Sequence, residues 1–136
     1  MEVDHLTYGD QSSRAVEIVH RVNHPAFGLN WDPGNAFAAG EDVPYPDGYD
    51  AVRDHVRHVH FKDARIDRAT GRRTWALDGA IDWAGQIAAL QRDGYEGYIS
   101  VETHMRPLLE NTAYLVQRLQ GLVRASQVAA LIGSSA

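Results

Sequence analysis

Residues 56–63 read Val-Arg-His-Val-His-Phe-Lys-Asp and bring histidine, lysine and a carboxylate together at the end of one segment. The β-branched and aromatic residues of this segment favour a strand. Because side chains alternate across a strand, His58 and His60 lie on one face, and Val59 and Phe61 lie on the other. We interpret this strand as one wall of a metal site, with His60 as the ligand and His58 as a structural neighbour.

Carboxylates follow the other predicted strands as well, so that Glu2, Asp32 and Glu102 join His60. Three carboxylates and one imidazole, each from a different strand, suit a divalent metal such as Mn²⁺, Mg²⁺, Co²⁺ or Zn²⁺. The sequence contains no cysteine, so any metal here must use nitrogen and oxygen ligands. Simpler interpretations of two acids stay open: Asp32 precedes Pro-Gly and suits a turn, and Glu2 lies at the chain terminus.

Strands and helices alternate along the chain, whereas the arginine-rich residues 63–77 read as a polar, mobile loop. This alternation predicts an α/β fold with a parallel sheet and right-handed crossovers. All strands then end at one edge of the sheet, and that edge carries the four candidate ligands. The predicted elements are a strand at Met1–His5, a helix over about 11–22, a strand at Ala26–Trp31, a short helix near Asp50–His55, a strand over 56–61, a helix after Asp82, a strand at Tyr98–Val101 and a helix from Pro107.

Size and composition limit the classes of protein that fit. The 136 residues suit one domain, which we place at residues 1–123, followed by a frayed helical or disordered tail at 124–136. The formal net charge is −5, and Lys and Arg form no basic stripe, which argues against nucleic-acid binding. The sequence contains neither an apolar run of about 18 residues nor a signal-peptide pattern. We therefore expect a cytoplasmic protein that does not bind a membrane.

Three motifs carry a family resemblance: Asn-Trp-Asp-Pro-Gly-Asn at 30–35, His-Val-His-Phe-Lys-Asp at 58–63, and Gly-Tyr-Glu-Gly-Tyr-Ile-Ser-Val-Glu-Thr-His at 94–104. In this order and spacing they resemble the sugar phosphate isomerase/epimerase family. That family belongs to the xylose isomerase-like TIM-barrel superfamily, which also includes the type IV apurinic endonucleases. The resemblance spans about residues 1–122 and is more specific for the superfamily than for a substrate.

The resemblance implies a site and a reaction. It implies that one divalent metal is held by Glu2, Asp32, His60 and Glu102, and that the two glutamates also act as the acid/base pair. One glutamate removes a proton beside a carbonyl and the other returns one on the opposite face, while the metal stabilises the enediolate-like state. The substrate is expected to be a sugar, a sugar phosphate or a related polyol. Lys62 lies where the family often has a side chain that contacts the substrate, and Arg65 nearby is predicted to bind a phosphate or carboxylate. Asn35 and His104, which is two residues after Glu102, complete the predicted substrate-binding set.

The chain departs from the family pattern in two ways. The family fold has eight βα units in roughly 250 residues, and this sequence has room for four, which the motifs match to strands 5–8. Asn35 also stands where epimerases and endonucleases often carry histidine. Because the endonuclease site needs further histidines from the absent half, a metal-dependent phosphodiesterase is a distant alternative.

A (βα)4 half barrel has two open sheet edges and an exposed inner face, which invite pairing with another chain. We therefore predict either a homo-oligomer, in which two halves approximate a closed barrel, or association with a complementary half-barrel chain. The chain alone then carries an incomplete isomerase or epimerase. The alternative is a non-catalytic half-barrel fragment that acts only through assembly.

Overall fold

Helices and strands alternate in a computed structural model, which describes residues 1–133. Short π-helical and 3₁₀ turns at Pro44–Gly48 and Arg53–His55 flank the third helix. The strands are β1 (Leu29–Trp31), β2 (Val56–Phe61), β3 (Asp63–Ile66), β4 (Arg73–Ala76) and β5 (Ile99–Val101), and the helices are α1 (Ser12–Val22), α2 (Pro33–Ala38), α3 (Tyr49–Val52), α4 (Trp83–Arg92) and α5 (Leu108–Gly133).

The main sheet has the strand order β1-β2-β5, and both pairings are parallel, as the alternation of elements predicts. The predicted first strand at Met1–His5 is reduced to one bridge, in which Glu2 pairs with Asn30. Immediately afterwards the chain turns, because the Asp4 carboxylate accepts a hydrogen bond of 2.8 Å from the amide of Leu6. The short strand predicted at Met1–His5 therefore ends after this single bridge, and Glu2 reaches the edge of the sheet.

The two faces of the sheet differ sharply. Leu29, Trp31, Val59 and Phe61 are buried against the helices, and the Phe61 ring lies 4.4 Å from the ring of Trp83 on α4. The alternate side chains Asn30, His58 and His60 face the other way and are polar. Period-two alternation therefore separates a hydrophobic core from a polar inner face, and this inner face leads to the candidate site.

Residues 63–77 form a β-hairpin, so the prediction of a mobile loop was wrong. Strands β3 and β4 pair antiparallel, from Asp63 opposite Ala76 to Ile66 opposite Arg73. Arg73 fastens the hairpin to the segment after α2, because its guanidinium donates to the carbonyl oxygens of Phe37 and Glu41. These partners lie 36 and 32 residues away in the sequence, so local composition alone did not reveal them.

A second contact joins the base of the hairpin to α5. The fully buried Asp63 carboxylate lies 3.2 Å from the guanidinium of Arg118, which also contacts Asp78 at 2.9 Å. Burial raises the pKa of Asp63, and backbone amides together with Arg118 partly offset this effect. The terminal helix is thereby tied to the end of β2, where the candidate site begins.

Helix α5 continues to Gly133, so the described part of the predicted tail at 124–136 is helical, and residues 134–136 lie outside the described range. Within residues 1–133, no helix combines the length and apolar character needed to cross a bilayer.

Candidate metal centre

Four side chains converge at the C-terminal edge of the parallel sheet. One ligand atom from each of Glu2, Asp32, His60 and Glu102 lies within 4.8 Å of the others. The Nδ1 atom of His60 is central, because it lies 3.1 Å from Glu2 Oε1, 3.6 Å from Asp32 Oδ2 and 3.4 Å from Glu102 Oε2. The structure therefore brings the four predicted ligands together, and we call them the rim cluster.

Asp32 has both of the roles that its sequence context left open, since it forms a turn and belongs to the cluster. Its Oδ1 atom caps α2 by accepting a hydrogen bond of 2.8 Å from the amide of Asn35. Pro33 follows at the first helical position, where its missing N–H costs nothing. At Gly34, a Cβ atom would come 2.9 Å from the Lys62 carbonyl oxygen. The Asp-Pro-Gly turn therefore packs α2 tightly against the end of β2 and leaves Oδ2 of Asp32 facing the cluster.

Lys62 is the only lysine in the sequence, and its side chain is 3% exposed. Its ammonium lies 3.0 Å from Asp32 Oδ2, contacts Glu102 Oε2, and donates a hydrogen bond of 3.0 Å to Asn35 Oδ1. Burial opposes the charged form of Lys62, but the nearby Asp32 and Glu102 carboxylates outweigh burial and raise its pKa. The site therefore contains a buried, fully protonated lysine.

The charges of the cluster also shift the pKa of His60 and Glu102. Interaction with the Asp32 carboxylate raises the pKa of His60, against the effect of burial, and the charges of Glu2 and Glu102 add to this rise. Burial disfavours ionised Glu102, yet the contact with the Lys62 ammonium lowers the pKa of this carboxyl. Glu102 is therefore held in its carboxylate form at neutral pH.

The donor set fits a divalent cation. Asp32 Oδ2 and Glu102 Oε2 are buried, and neither makes a hydrogen bond of normal geometry, although each lies against the Lys62 ammonium. Three carboxylates and one ammonium leave a formal charge of −2 in a partly buried space. One divalent ion would neutralise this charge and satisfy both oxygens, and oxygen and imidazole ligands suit Mg²⁺, Mn²⁺, Co²⁺ and Zn²⁺.

A hydrogen-bond network links the cluster to its surroundings. The buried Asn35 amide donates to Glu2 Oε1 at 3.1 Å, and its Oδ1 atom lies 3.2 Å from His5 Nδ1. His104 Nε2 lies 3.3 Å from the Lys62 ammonium. Asn35, Lys62 and His104, which were predicted to bind the substrate, thus lie at the cluster.

Arg65 is the exception among the predicted site residues. It pairs with Thr74 on the exposed face of the hairpin and lines a separate cleft with Arg68 and Asp78. Side chains alternate across a strand, so Arg65 points away from the side of the hairpin that faces the cluster. Arg65 therefore lines a cleft apart from the cluster, and its role in binding substrate stays a prediction.

Sequence reasoning missed Trp75, Asn30 and His5. The Trp75 ring lies 5.1 Å from the His5 ring and 5.0 Å from the Lys62 ammonium. Asn30 Nδ2 lies 3.0 Å from Nε2 of His60. The threonine and tryptophan of β4 favour a strand, and this was the local signal that could have found Trp75. His5 approaches its partners only after the chain has folded.

His58, interpreted above as a structural neighbour, makes a contact of 2.8 Å with the Ser100 hydroxyl, and its ring lies 5.4 Å from the ring of His60. Burial and the neighbouring His60 lower the pKa of His58. The pKa shifts of these two histidines on β2 thus have opposite directions, and of the two it is His60 that contacts the acids of the cluster.

A parallel sheet that delivers three carboxylates and a histidine to its C-terminal edge is typical of part of a β/α barrel, whose active sites lie at this rim. The chain belongs to the xylose isomerase-like TIM barrel family, whose model matches residues 2–125. The superfamily predicted from the three sequence motifs is thereby confirmed.

Curated relatives include the inosose dehydratases of Bacillus velezensis and Lacticaseibacillus casei. The first is 31% identical over 123 residues, covering 79% of this chain and 41% of the relative. The second is 28% identical over 123 residues, with the same two coverages. The chain therefore spans about two fifths of the length of the curated relatives it matches.

Solved structures agree on the fold. A xylose isomerase domain protein from Planctomyces limnophilus aligns with a TM-score of 0.72 at 22% identity, covering 93% of this chain and 45% of that one. A xylose isomerase-like TIM barrel protein from Mycobacterium smegmatis, solved in complex with magnesium, aligns with a TM-score of 0.68 at 28% identity, covering 90% and 44%. The IOLI protein, solved with a binding zinc atom, aligns with a TM-score of 0.51 at 25% identity, covering 86% and 42%.

Proposed function

We propose that the rim cluster binds one divalent metal and, in a completed barrel, catalyses proton transfer beside the carbonyl of a sugar or related polyol. The observation that carries this proposal is the convergence of Glu2, Asp32, His60 and Glu102 within 4.8 Å. When bound, such a cation polarises the carbonyl and hydroxyl oxygens of the substrate and lowers the cost of removing the neighbouring proton. The magnesium and zinc bound by two related structures support this choice of cofactor.

The exposure of the acids supports a division of roles between them. The side chains of Glu2 and Glu102 are 32% and 36% exposed, whereas that of Asp32 is fully buried. The two glutamates can therefore reach a substrate proton, and we assign them as the acid/base pair of an isomerase or epimerase. Asp32 acts as a ligand and helix cap, and Lys62 holds Glu102 in its ionised form beside the substrate.

A dehydratase is the second candidate, because the curated relatives named above are inosose dehydratases. It begins with the same proton removal beside the carbonyl. The electron pair then expels the hydroxyl group on the adjacent carbon, which leaves as water after it takes up a proton. Product mass separates the two candidates, since an isomerase conserves the mass of its substrate and a dehydratase releases one water.

We also infer that the three-stranded sheet and its N-terminal bridge correspond to strands 5–8 of the eight-stranded barrel, within a domain at residues 1–123. The chain covers 45% of one related barrel chain and 44% of another, and the parallel sheet of the described residues has β5 at one edge. A complementary (βα)4 half or a second copy would close the barrel.

Light scattering coupled to size-exclusion chromatography tests this inference on the 136-residue chain. We expect a dimer or larger species, because closure pairs the open strands and covers the inner face. Co-expression with a four-unit first half from a related barrel should replace this self-association by a one-to-one complex. A compact monomer that forms no complex with the co-expressed half barrel would contradict the inference.

Metal titration by calorimetry tests the proposed cofactor. We expect His60→Ala to weaken Mn²⁺ binding by more than about tenfold, because it removes a direct ligand. His58→Ala is the matched control, since it changes the neighbouring histidine on the same face and should keep the affinity within about threefold. Wild-type protein that binds no divalent ion would overturn the proposed function.

Solvent deuterium exchange then separates the enzyme from the non-catalytic half barrel. We expect the metal-loaded assembled protein to place deuterium beside the carbonyl of a ketose or an inosose, as mass spectrometry would show. Glu102→Gln should abolish this exchange. Metal binding without exchange into any ketose or inosose would favour the non-catalytic alternative.

A further inference from the structure

The β3–β4 hairpin places one aromatic side chain across the rim. Trp75 pairs with Ala64, and its ring lies 5.1 Å from the His5 ring at an interplanar angle of 78°. On the other side, the His104 ring lies 5.0 Å away at 50°. His5 follows Glu2 and His104 follows Glu102 in the sequence. The Trp75 ring therefore contacts both the His5 and the His104 rings, and the Lys62 ammonium of the cluster lies 5.0 Å from its centre.

The surroundings of Trp75 differ from those of the other two tryptophans. Trp31 and Trp83 are fully buried, and their indole N–H groups donate to Gln86 Oε1 at 2.9 Å and to the Lys62 carbonyl at 3.2 Å. Trp75 is only half-buried, and it contacts polar rings and an ammonium. Trp75 therefore packs against the edge of the core and also contacts the polar groups of the site, which the two buried tryptophans do not.

The arginines on the two strands of the hairpin are turned away from the cluster or already bound. Arg65 lies on the opposite side from Trp75, and the guanidinium of Arg73 donates to the carbonyl oxygens of Phe37 and Glu41. Arg65 and Thr74 form the neighbouring cross-strand pair, and both are exposed. The hairpin therefore presents an indole, and not a guanidinium, to the cluster. Lys62, the cation within the cluster, is already paired with Asp32 and Glu102. This part of the rim thus offers an aromatic surface and no uncommitted positive charge from the hairpin.

We infer that Trp75, flanked by His5 and His104, is the platform of a substrate subsite for an unphosphorylated polyol, such as a ring ketone of the inosose type. The C–H groups of such a ring form an apolar face that packs on an indole, while its hydroxyl groups stay free for polar partners. A phosphate group would instead require charged donors such as arginine. This inference rests on the proposed function and narrows its substrate class from sugars and sugar phosphates to neutral polyols.

Tryptophan fluorescence tests the inference, because Trp75 is the partly exposed indole and the other two are buried. Iodide quenching of the full chain, with and without Mn²⁺, should report chiefly on Trp75. We expect an inosose to protect this fluorescence from iodide, and Trp75→Phe should abolish the quenchable signal. Continued quenching in the phenylalanine variant would overturn the assignment of the signal to Trp75.

Binding measurements on the Mn²⁺-loaded protein test the role of the ring. Trp75→Leu should weaken inosose binding about tenfold, and Trp75→Phe should keep it within about threefold, because the phenyl ring retains an aromatic face. Fructose should bind at least as tightly as fructose 6-phosphate. Equal inosose affinity in wild type and Trp75→Leu, or tighter binding of the phosphorylated sugar, would overturn the inference.

Mn²⁺ affinity measured on the same samples keeps this inference separate from the proposed function. Trp75→Leu should leave Mn²⁺ affinity unchanged, because Trp75 is not among the four ligands, whereas His60→Ala should weaken it. Intact Mn²⁺ binding also shows that Trp75→Leu folds correctly. Inosose binding that depends on Mn²⁺ but not on Trp75 would reject the platform and leave the proposed function standing.

Discussion

Lys62→Met is expected to destabilise the metal-free protein by about 3 kcal/mol, the cost of removing one partner from a buried ion pair. The Lys62 ammonium is 3% exposed and lies 3.0 Å from the fully buried Asp32 carboxylate. Without it, Asp32 is left as an uncompensated charge beside Glu2 and Glu102. Glu102 is partly exposed, so solvent screens its share of the effect. Chemical denaturation of both proteins in the presence of chelator measures the loss.

Divalent metal is expected to restore much of this stability. The cluster carries a formal charge of −2 with Lys62 and −3 without it, so a cation gains more attraction in the variant. Binding to the folded state alone stabilises by mass action, by about 2.7 kcal/mol at a ligand concentration 100 times the dissociation constant. We therefore expect Mn²⁺ to raise the stability of Lys62→Met more than that of the wild type.

Two variants sharpen this experiment. Arg65→Met removes a positive charge from the exposed face of the hairpin and should change stability by less than about 0.5 kcal/mol. Lys62→Arg keeps the charge but should not restore stability, since a planar guanidinium does not fit where a compact ammonium contacts two carboxylates and an amide oxygen. If Lys62→Met is as stable as the wild type in chelator, Lys62 does not hold the acids together.

The part of the site that lies on regular strands could be predicted from the sequence. Period-two alternation over residues 56–61 placed His60 opposite the core, and the parallel order of elements placed Asp32 and Glu102 at the same edge. Asp32 shows why competing interpretations of one residue need not exclude each other. A carboxylate has two oxygens, and here one caps α2 while the other faces the cluster.

The missed residues depend on contacts between distant parts of the chain. The hairpin is anchored by Arg73, whose partners precede it by 32 and 36 residues, while its local sequence is arginine-rich and resembles a loop. If this segment is interpreted as a loop, the sequence does not predict which side of the hairpin Trp75 and Arg65 occupy. His5 likewise gains its contacts with Asn35 and Trp75 only in the folded chain. Strand periodicity carries no information about such long-range pairs.

Metal affinity is expected to fall about tenfold per pH unit once the pH drops below the pKa of His60, because the imidazole must lose its proton to bind a cation. The Asp32 carboxylate, with help from Glu2 and Glu102, raises that pKa above its ordinary value of 6.5. The fall should therefore begin at a higher pH than for an unperturbed histidine. Over about two pH units the loss is roughly a hundredfold.

The stability of the metal-free protein should change with pH in the opposite sense. A histidine whose pKa is raised by folding stabilises the folded state fully below the unfolded value of 6.5, and this contribution is lost as the pH rises through the folded pKa. His60 thus stabilises the metal-free protein most below its pKa. Metal binding, which requires the neutral imidazole, stabilises the protein most above that pKa. The stabilisation by metal should therefore widen steadily as the pH increases through the folded pKa of His60.

Calorimetric titration with Mn²⁺ in two buffers of different ionisation enthalpy measures the proton released on binding. We expect about one proton per metal below the pKa of His60 and close to none above it. His58→Ala should leave this profile in place, because burial and the neighbouring His60 lower the pKa of His58 and it does not contact the acids of the cluster. Proton release that is independent of pH would show that His60 is not the titrating ligand.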